Sequence, residues 1–450
     1  MGGSDRSSEV ASTIPAIRTL DDAVALATQR FAMRNAASRN LYDRAQRVMP
    51  GGNTRSALHF DPFPLYIARS ADAYVDDADG HRYLDVLGEF TAGLYGHSNQ
   101  IIVQAAVSAA MSGLGNGAPG TYEIELAELL CDRIPSLELV RFCNSGTEAT
   151  LYSLSLAKVV TGRSKFICFS GAYHGGVFVF SGGGNSINAP YDWNVCRYNC
   201  SSGAAAAIET IGDQLAAVIV EPMMSNGGCI PATPEFLRTL RTVCSETGAL
   251  LIFDEVVTSR HGAGGLQGLH AITPDLTTLG KYIGGGFSFG AFGGRADIME
   301  RMNPTRPDAL PHAGTFNNNV FSMTAGAVAL RDVFTAERAA SLLSDGDMLR
   351  ERLNTLCRTI APGAQFTGIG STMNIHFCKG EILSPEDLEN EPKELLKLFH
   401  FDLMEHGVYA ARRGQINLSL PMTTKDFDVL VDAVRVFLHR RATIIDALTQ

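Results

Sequence analysis

"AAVIVEPMMSNGGCIPATPEFLRTLRTVCSETGALLIFDEV" (residues 216–256) holds the pattern that decides the fold. "AAVIVEP" and "ALLIFDEV" are continuous apolar runs rather than alternating ones, so they read as strands buried on both faces. Between them, "PEFLRTLRTVCSETG" has helical spacing and a closing glycine. "LVRFCN" (139–144) and "KFICFSG" (165–171) read as further strands buried on both faces. From about residue 75 to 330, short apolar runs alternate with helical stretches. The predicted class is α/β, a mostly parallel sheet covered by helices. Right-handed crossovers carry the strand C-terminal ends to one edge of that sheet, where ligands bind.

The flanks differ. Residues 21–48 show helical periodicity up to the Pro-Gly break in "MPGGN". In the last 120 residues, "TMNIHF" and "QINLSL" alternate apolar and polar, which predicts an antiparallel sheet with one covered face. "FDVLVDAVRVFL" carries a helix stripe at 427, 430, 431, 434, 437 and 438. The predicted organisation is a tail over 1–20, an N-terminal segment over 21–75, a large domain over 76–330 and a smaller α+β domain over 331–450.

Composition narrows the function. The chain has 450 residues, 45% hydrophobic and 19% charged, with a formal net charge of -10. Its Lys and Arg are scattered, and nucleic-acid binding needs a basic face. No run reaches the roughly 18 apolar residues of a membrane span. The first twenty residues have no apolar core of a secretory signal, and Arg6 stands where N-myristoylation needs Ser or Thr. Nine cysteines, several in apolar runs, suit a reduced cytoplasmic protein. The pair in "CRYNC" (196–200) has no second pair nearby, so no metal site is predicted there.

Four features converge on the ligand edge. "DLTTLGKYIGGGFSFGAFGGR" (275–295) surrounds one lysine, Lys281, with glycines. "ALLIFDEV" brings Asp254 to a buried strand end, where an isolated acid needs a cationic partner. "RFCNSGTEAT" runs a strand into a turn and then a helix, and the N–H groups of Ser145, Gly146 and Thr147 form an anion site there. Ser145 to Glu148 also fits a capping box, which alone explains that spacing. "FSGAYHGG" ends another strand with the aromatic pair Tyr173 and His174. An amine, an acid, an anion cradle and an aromatic face are what pyridoxal phosphate requires for its aldehyde, pyridine nitrogen, phosphate and ring. The apolar setting also disfavours the ammonium form of Lys281.

Two other motifs compete. "GFSFG" (286–290) matches a nucleophile elbow with Ser288, a hydrolase reading, but an elbow needs a strand before the serine and a helix after it. "HGAGGLQG" (261–268) misses the dinucleotide fingerprint by one residue and lacks a strand ahead of it.

In order, "NSGTEA", "YHG", "VEP", "DEV", "LGKYIGGG" and "GTF" resemble the class III pyridoxal-phosphate aminotransferases of fold type I, over residues from about 40 to 440. Within them it resembles the branch of glutamate-1-semialdehyde aminomutase and the β-amino-acid (β-phenylalanine) aminotransferases. The resemblance implies a seven-stranded sheet in the large domain. It implies Lys281 as the Schiff-base lysine, Asp254 on the pyridine nitrogen, and Ser145, Gly146 and Thr147 on the phosphate. It places Tyr173, beside His174, on one ring face and Val256 on the other, with Glu221 near the cofactor. Thr315 matches a threonine that serves the phosphate of a neighbouring subunit, which implies a homodimer with shared sites.

Aminomutases and many relatives have Ser-Gly-Asn-Pro after "GTF", where this chain has "NNNV". With "MPGGNTRS" and "GLYGHS", that points to a β-amino-acid aminotransferase, with an aminomutase as the alternative. A guanidinium fork suits a carboxylate in a closed pocket. Arg55 and Arg413 match the arginines of this pattern, Arg412 rivals Arg413, and Phe90 is the candidate apolar wall. The predicted reaction moves an amino group from a β-amino acid to an α-keto acid such as 2-oxoglutarate or pyruvate.

Overall fold

The computed structural model describes residues 19–449. Strands β7 (Leu215–Val220) and β10 (Leu250–Asp254) are buried along their whole length. They pair in parallel, Ile219 beside Ile252. The connecting helix α7 (Pro234–Thr247) is capped by Thr233, whose side chain accepts from the Phe236 amide, and it ends at left-handed Gly248. Its face of Phe236, Leu237, Leu240 and Val243 is buried, which removes the apolar stripe from water.

Around this unit the sheet adds β4 (Leu139–Cys143), β5 (Lys165–Phe169), β6 (Asp192–Cys196), β11 (Leu276–Gly280) and β12 (Gly290–Gly294). The seven strands run in the order β4-β12-β11-β10-β7-β5-β6. Only β12 opposes its neighbours. The fold is therefore the expected α/β sheet, with one correction: β4 is not buried on both faces. Leu139 is exposed and only Cys143 is fully buried, because β4 is an edge strand.

Helices α5 (Gly146–Thr161), α6 (Ser201–Ile211), α8 (Gly265–His270) and α9 (Ala296–Met299) belong to this layer. Helices α3 (Gln100–Ser112) and α4 (Thr121–Arg133) pack against α10 (Val320–Val328). A two-residue ladder, β8 (Met223–Met224) with β9 (Ile230–Pro231), closes the loop after β7.

The helical run expected over 21–48 is two helices, α1 (Leu20–Arg34) and α2 (Ala36–Ala45). At the break, Asn35 Nδ2 donates to the Phe31 carbonyl at 2.8 Å. The Asp79 carboxylate accepts from the Ala37 and Ser38 amides at 2.6 and 2.9 Å. A side chain distant in sequence thus satisfies the start of α2. The tail predicted over 1–20 lies almost wholly outside the described residues.

Strands β1 (Ile67–Ala71), β2 (Tyr74–Asp77) and β3 (Arg82–Asp85) form an antiparallel sheet, which β15 (Val408–Tyr409) joins in parallel. The boundary read between 75 and 76 falls inside β2. The remaining elements are α11 (Ala336–Ile360), α12 (Lys393–Glu405), α13 (Thr424–Leu448) and the sheet of β13 (Gln365–Ile369), β14 (Thr372–His376) and β16 (Gln415–Asn417). In α13 the stripe of Leu430, Val434, Phe437 and Leu438 is buried. The one-covered-face expectation for the small sheet is corrected, since β14 and β16 are buried on both faces. Their polar residues bond inward: His376 Nε2 lies 2.9 Å from the Gly228 carbonyl, and Asn417 Nδ2 donates to the Leu87 carbonyl at 2.7 Å.

Candidate active site

The parallel strands deliver their C-terminal ends to one edge. Asp254 ends β10, Lys281 follows β11, Glu221 follows β7, the Ser145 turn follows β4 and Tyr173–His174 follow β5. Lys281 has φ +54, a left-handed conformation uncommon outside glycine. Its Nζ donates to the Phe90 carbonyl at 3.0 Å. Its pKa is lowered to about 8, chiefly by burial and then by the Arg413 charge, while Asp254 opposes both.

Asp254 is buried and well held. Its Oδ2 lies 2.8 Å from His174 Nδ1, and its Oδ1 accepts from the Val256 amide and Thr278 Oγ1, each at 3.1 Å. The pair read as one aromatic face therefore divides: His174 is buried against Asp254, whereas Tyr173 is exposed. The second nitrogen, His174 Nε2, is buried with no hydrogen-bond partner. Glu221 accepts from the Tyr173 amide at 3.1 Å and the Ser225 amide at 3.3 Å. Its pKa is raised to about 7, chiefly by burial and against the opposing charge of His174.

At the start of α5, Ser145 Oγ accepts from the Glu148 amide at 3.2 Å, so the cap is real. The Glu148 carboxylate returns to the Asn144 amide at 2.9 Å rather than to that of Ser145. Capping and anion binding are compatible, since the amides of Gly146 and Thr147 remain without an intrahelical acceptor. A Cβ on Gly146 would lie 3.0 Å from both Val256 methyls, and one on Gly290 would overlap the Ser145 carbonyl. Thr147 Oγ1 accepts from the Gly176 amide at 3.0 Å, tying this turn to the Tyr173–His174 loop. Asn144 Nδ2 donates to Asn317 Oδ1 at 3.1 Å.

Residues 88–91 all have positive φ. This strained run places the Phe90 ring near both arginines, 5.5 Å from Arg55 and 5.2 Å from Arg413. Arg55 forms an ion pair with Glu89. Arg413 Nη1 donates to Asn226 Oδ1 at 2.6 Å, and its Nε donates to Gln415 Oε1 at 3.0 Å. The rival Arg412 lies elsewhere: burial lowers the pKa of His400, and the nearby Arg412 charge adds a little to this, in the packing between the N-terminal segment and α12.

A cavity of about 810 Å³ is lined by Lys281, Ser145, Gly146, Phe287 and α3 residues that include Val103 and Val107. Thr315 is exposed on the loop before α10 and does not line this cavity. Ser288 lies in irregular backbone with strand β12 after it, not a helix, so the elbow geometry is absent. Among the described residues no cluster of three or more His, Cys, Asp or Glu could hold a metal, and no helix is long and apolar enough to cross a membrane.

Sequence reading missed Glu89, Asn226, Thr278, Gln415 and Asn317. Thr278 had a signal, lying on the strand just before Lys281. Gln415 and Asn226 had none, because an isolated amide is as common on a surface as in a site.

The family model for aminotransferase class-III matches residues 56–428. A β-phenylalanine transaminase of Variovorax paradoxus is 48% identical over 426 residues, covering 95% of this chain and 98% of that protein. A glutamate-1-semialdehyde 2,1-aminomutase of Akkermansia muciniphila is 36% identical over 423 residues, covering 90% and 99%. The crystal structure of a β-phenylalanine aminotransferase from Variovorax paradoxus superposes with a TM-score of 0.94 at 47% identity, over 95% of this chain and 99% of that one.

Proposed function

The chain belongs to the class III aminotransferases, and from that premise we propose that it moves the amino group of a β-amino acid, β-phenylalanine or a close relative, to an α-keto acid, with pyridoxal 5′-phosphate as cofactor. The observation that carries this is the meeting, at one sheet edge, of a lysine whose ammonium form is disfavoured, a supported carboxylate and an open helix N-terminus.

These residues fit the cofactor. Ser145, Gly146 and Thr147 would take its phosphate, Tyr173 and Val256 would flank its ring, and Lys281 would hold its aldehyde. When bound, it supplies that aldehyde and a ring that accepts electrons. Asp254 keeps a proton on the ring nitrogen, and His174 orients Asp254. Glu221 fixes the backbone of Tyr173. Lys281, poised near neutrality, removes the proton from the amine-bearing carbon of the donor as general base.

Arg55 is assigned to the donor carboxylate and Arg413 to that of the acceptor. A β-amino acid carries its carboxylate one carbon further from the amine, so one fixed guanidinium does not serve both. Phe90 forms the wall between them. We assign the active unit as a homodimer in which Thr315 serves the neighbouring phosphate site, and the compartment as the cytoplasm.

An aminomutase needs no keto acid, which sets the test. The protein is given β-phenylalanine, then 2-oxoglutarate or pyruvate, while its visible spectrum is followed. Loss of the yellow band with the donor and its return with a keto acid is expected. Failure of every keto acid to restore the band would favour the aminomutase, against which the higher identity to the β-phenylalanine transaminase already weighs.

A further inference from the structure

We propose that Gln415, together with Asn226, is a positioning and specificity-determining residue that fixes the Arg413 guanidinium with neutral oxygens and so leaves its charge available to a substrate carboxylate. This rests on the assignment of Arg413 to the acceptor. The orientation of the Gln415 amide follows from a chain of bonds. The Leu87 carbonyl can only accept, so Asn417 donates to it through Nδ2 at 2.7 Å. Asn417 Oδ1 then accepts from Gln415 Nε2 at 3.2 Å, and Ser225 Oγ lies 3.3 Å from the same nitrogen. That turns Gln415 Oε1 toward Arg413, where it accepts from both Nε and Nη2. Asn226 Oδ1 takes Nη1.

Two amide oxygens thus hold the fork, and among the described residues no carboxylate comes within ion-pair distance of it. Arg55 differs in setting: its pair with Glu89 lies where both side chains are about half exposed, so water screens it and the guanidinium stays open to a substrate. A carboxylate in place of either amide would hold Arg413 as firmly but cancel the charge that the substrate needs. Gln415 is fully buried, whereas Asn226 is partly exposed.

The test compares N226D with Q415E. Q415E faces Asn417 Oδ1 with a second acceptor and can fail to fold. N226D keeps its bond to Arg413, adds a charge while replacing an Nδ2 that makes no hydrogen bond to the described residues, and sits where water reaches it. Binding of glutarate, a dicarboxylate that cannot accept an amino group, is measured on the holoenzyme by calorimetry, alongside the KM for 2-oxoglutarate and the rate of the donor half-reaction. N226D should weaken glutarate and raise the keto-acid KM by about tenfold or more, the effect of pre-empting one charged hydrogen bond, and slow the donor half-reaction by a clearly smaller factor. Equal glutarate binding in wild type and N226D, or none in wild type, overturns the inference. So does a loss confined to the donor half. A wild type that binds glutarate yet aminates no keto acid leaves the inference standing and refutes the proposed reaction instead.

Discussion

Lys281 shows how one residue's setting becomes a measurable pH dependence. An exposed lysine titrates near 10.5; burial, reinforced by Arg413, brings this one to about 8. Only the neutral amine attacks an aldehyde. Apoenzyme mixed with pyridoxal phosphate should therefore develop its visible band about tenfold faster per pH unit up to roughly pH 8, then level off. A rate still climbing well above that pH would mean that the amine is solvated. Asp254→Asn tests the other pole. The amide can still accept from Thr278 and Val256 but cannot hold a proton on the ring nitrogen. Cofactor affinity and turnover should each fall by roughly 10² or more, the cost of an unpaired buried charge, with the melting temperature little changed. Both residues were legible in the sequence because a polar side chain ending an apolar run stands out. His174 was legible only as an aromatic, since its partner Asp254 lies 80 residues away and sequence carries no trace of that contact. Glu89, beside Phe90, was hidden because its ion pair with Arg55 depends on the left-handed run at 88–91.

At the scale of elements, the N-terminus of α5 must stay open for an anion while Val256 presses against Gly146. Gly146→Ala brings a methyl to 3.0 Å from both Val256 side-chain carbons. Alanine favours a helix over glycine by about 1 kcal/mol, so a general weakening of α5 is not expected. Either Val256 or the turn must shift, and titration with pyridoxal phosphate should show a loss of affinity of about tenfold, which is about 1.4 kcal/mol. Unchanged affinity would place the phosphate elsewhere. The strands were read well where burial is symmetric, as in β7 and β10. They were misread where neighbours decide: β4 has an apolar sequence but an edge position. β14 alternates as a half-exposed strand does, yet its polar face lies against the Gly228 loop. The break between α1 and α2 depends on Asp79, too far along the chain for local pattern to reveal.

At the scale of the molecule, β15 pairs with β3 across more than 300 residues, a contact the sequence does not announce because two-residue strands leave no periodicity. What remains open to test is assembly. Helix α3 exposes Ile101, Val103, Val107 and Met111, the last with 85% of its surface accessible, and α4 adds Tyr122 and Ile124. Exposed apolar side chains repeated along one helix in this way mark an interaction surface. Val103 and Val107 also line the cavity that holds Lys281, so the site opens toward the face that a second copy would cover. Sedimentation should give a dimer. Val107→Asp should shift it toward monomer, because a carboxylate buried there lacks a partner, and should lose activity while keeping its helical circular dichroism. Subunit mixing then assigns Thr315. Lys281→Ala and Thr315→Ala chains are each expected to be impaired as homodimers, the first without the amine and the second without its neighbour's phosphate contact. In a mixed dimer, the Lys281 of one chain meets the intact Thr315 of the other, giving one working site. Recovery of activity on mixing is the expected result. No recovery, with mixed dimers confirmed by mass spectrometry, would mean that each site uses its own Thr315 or none.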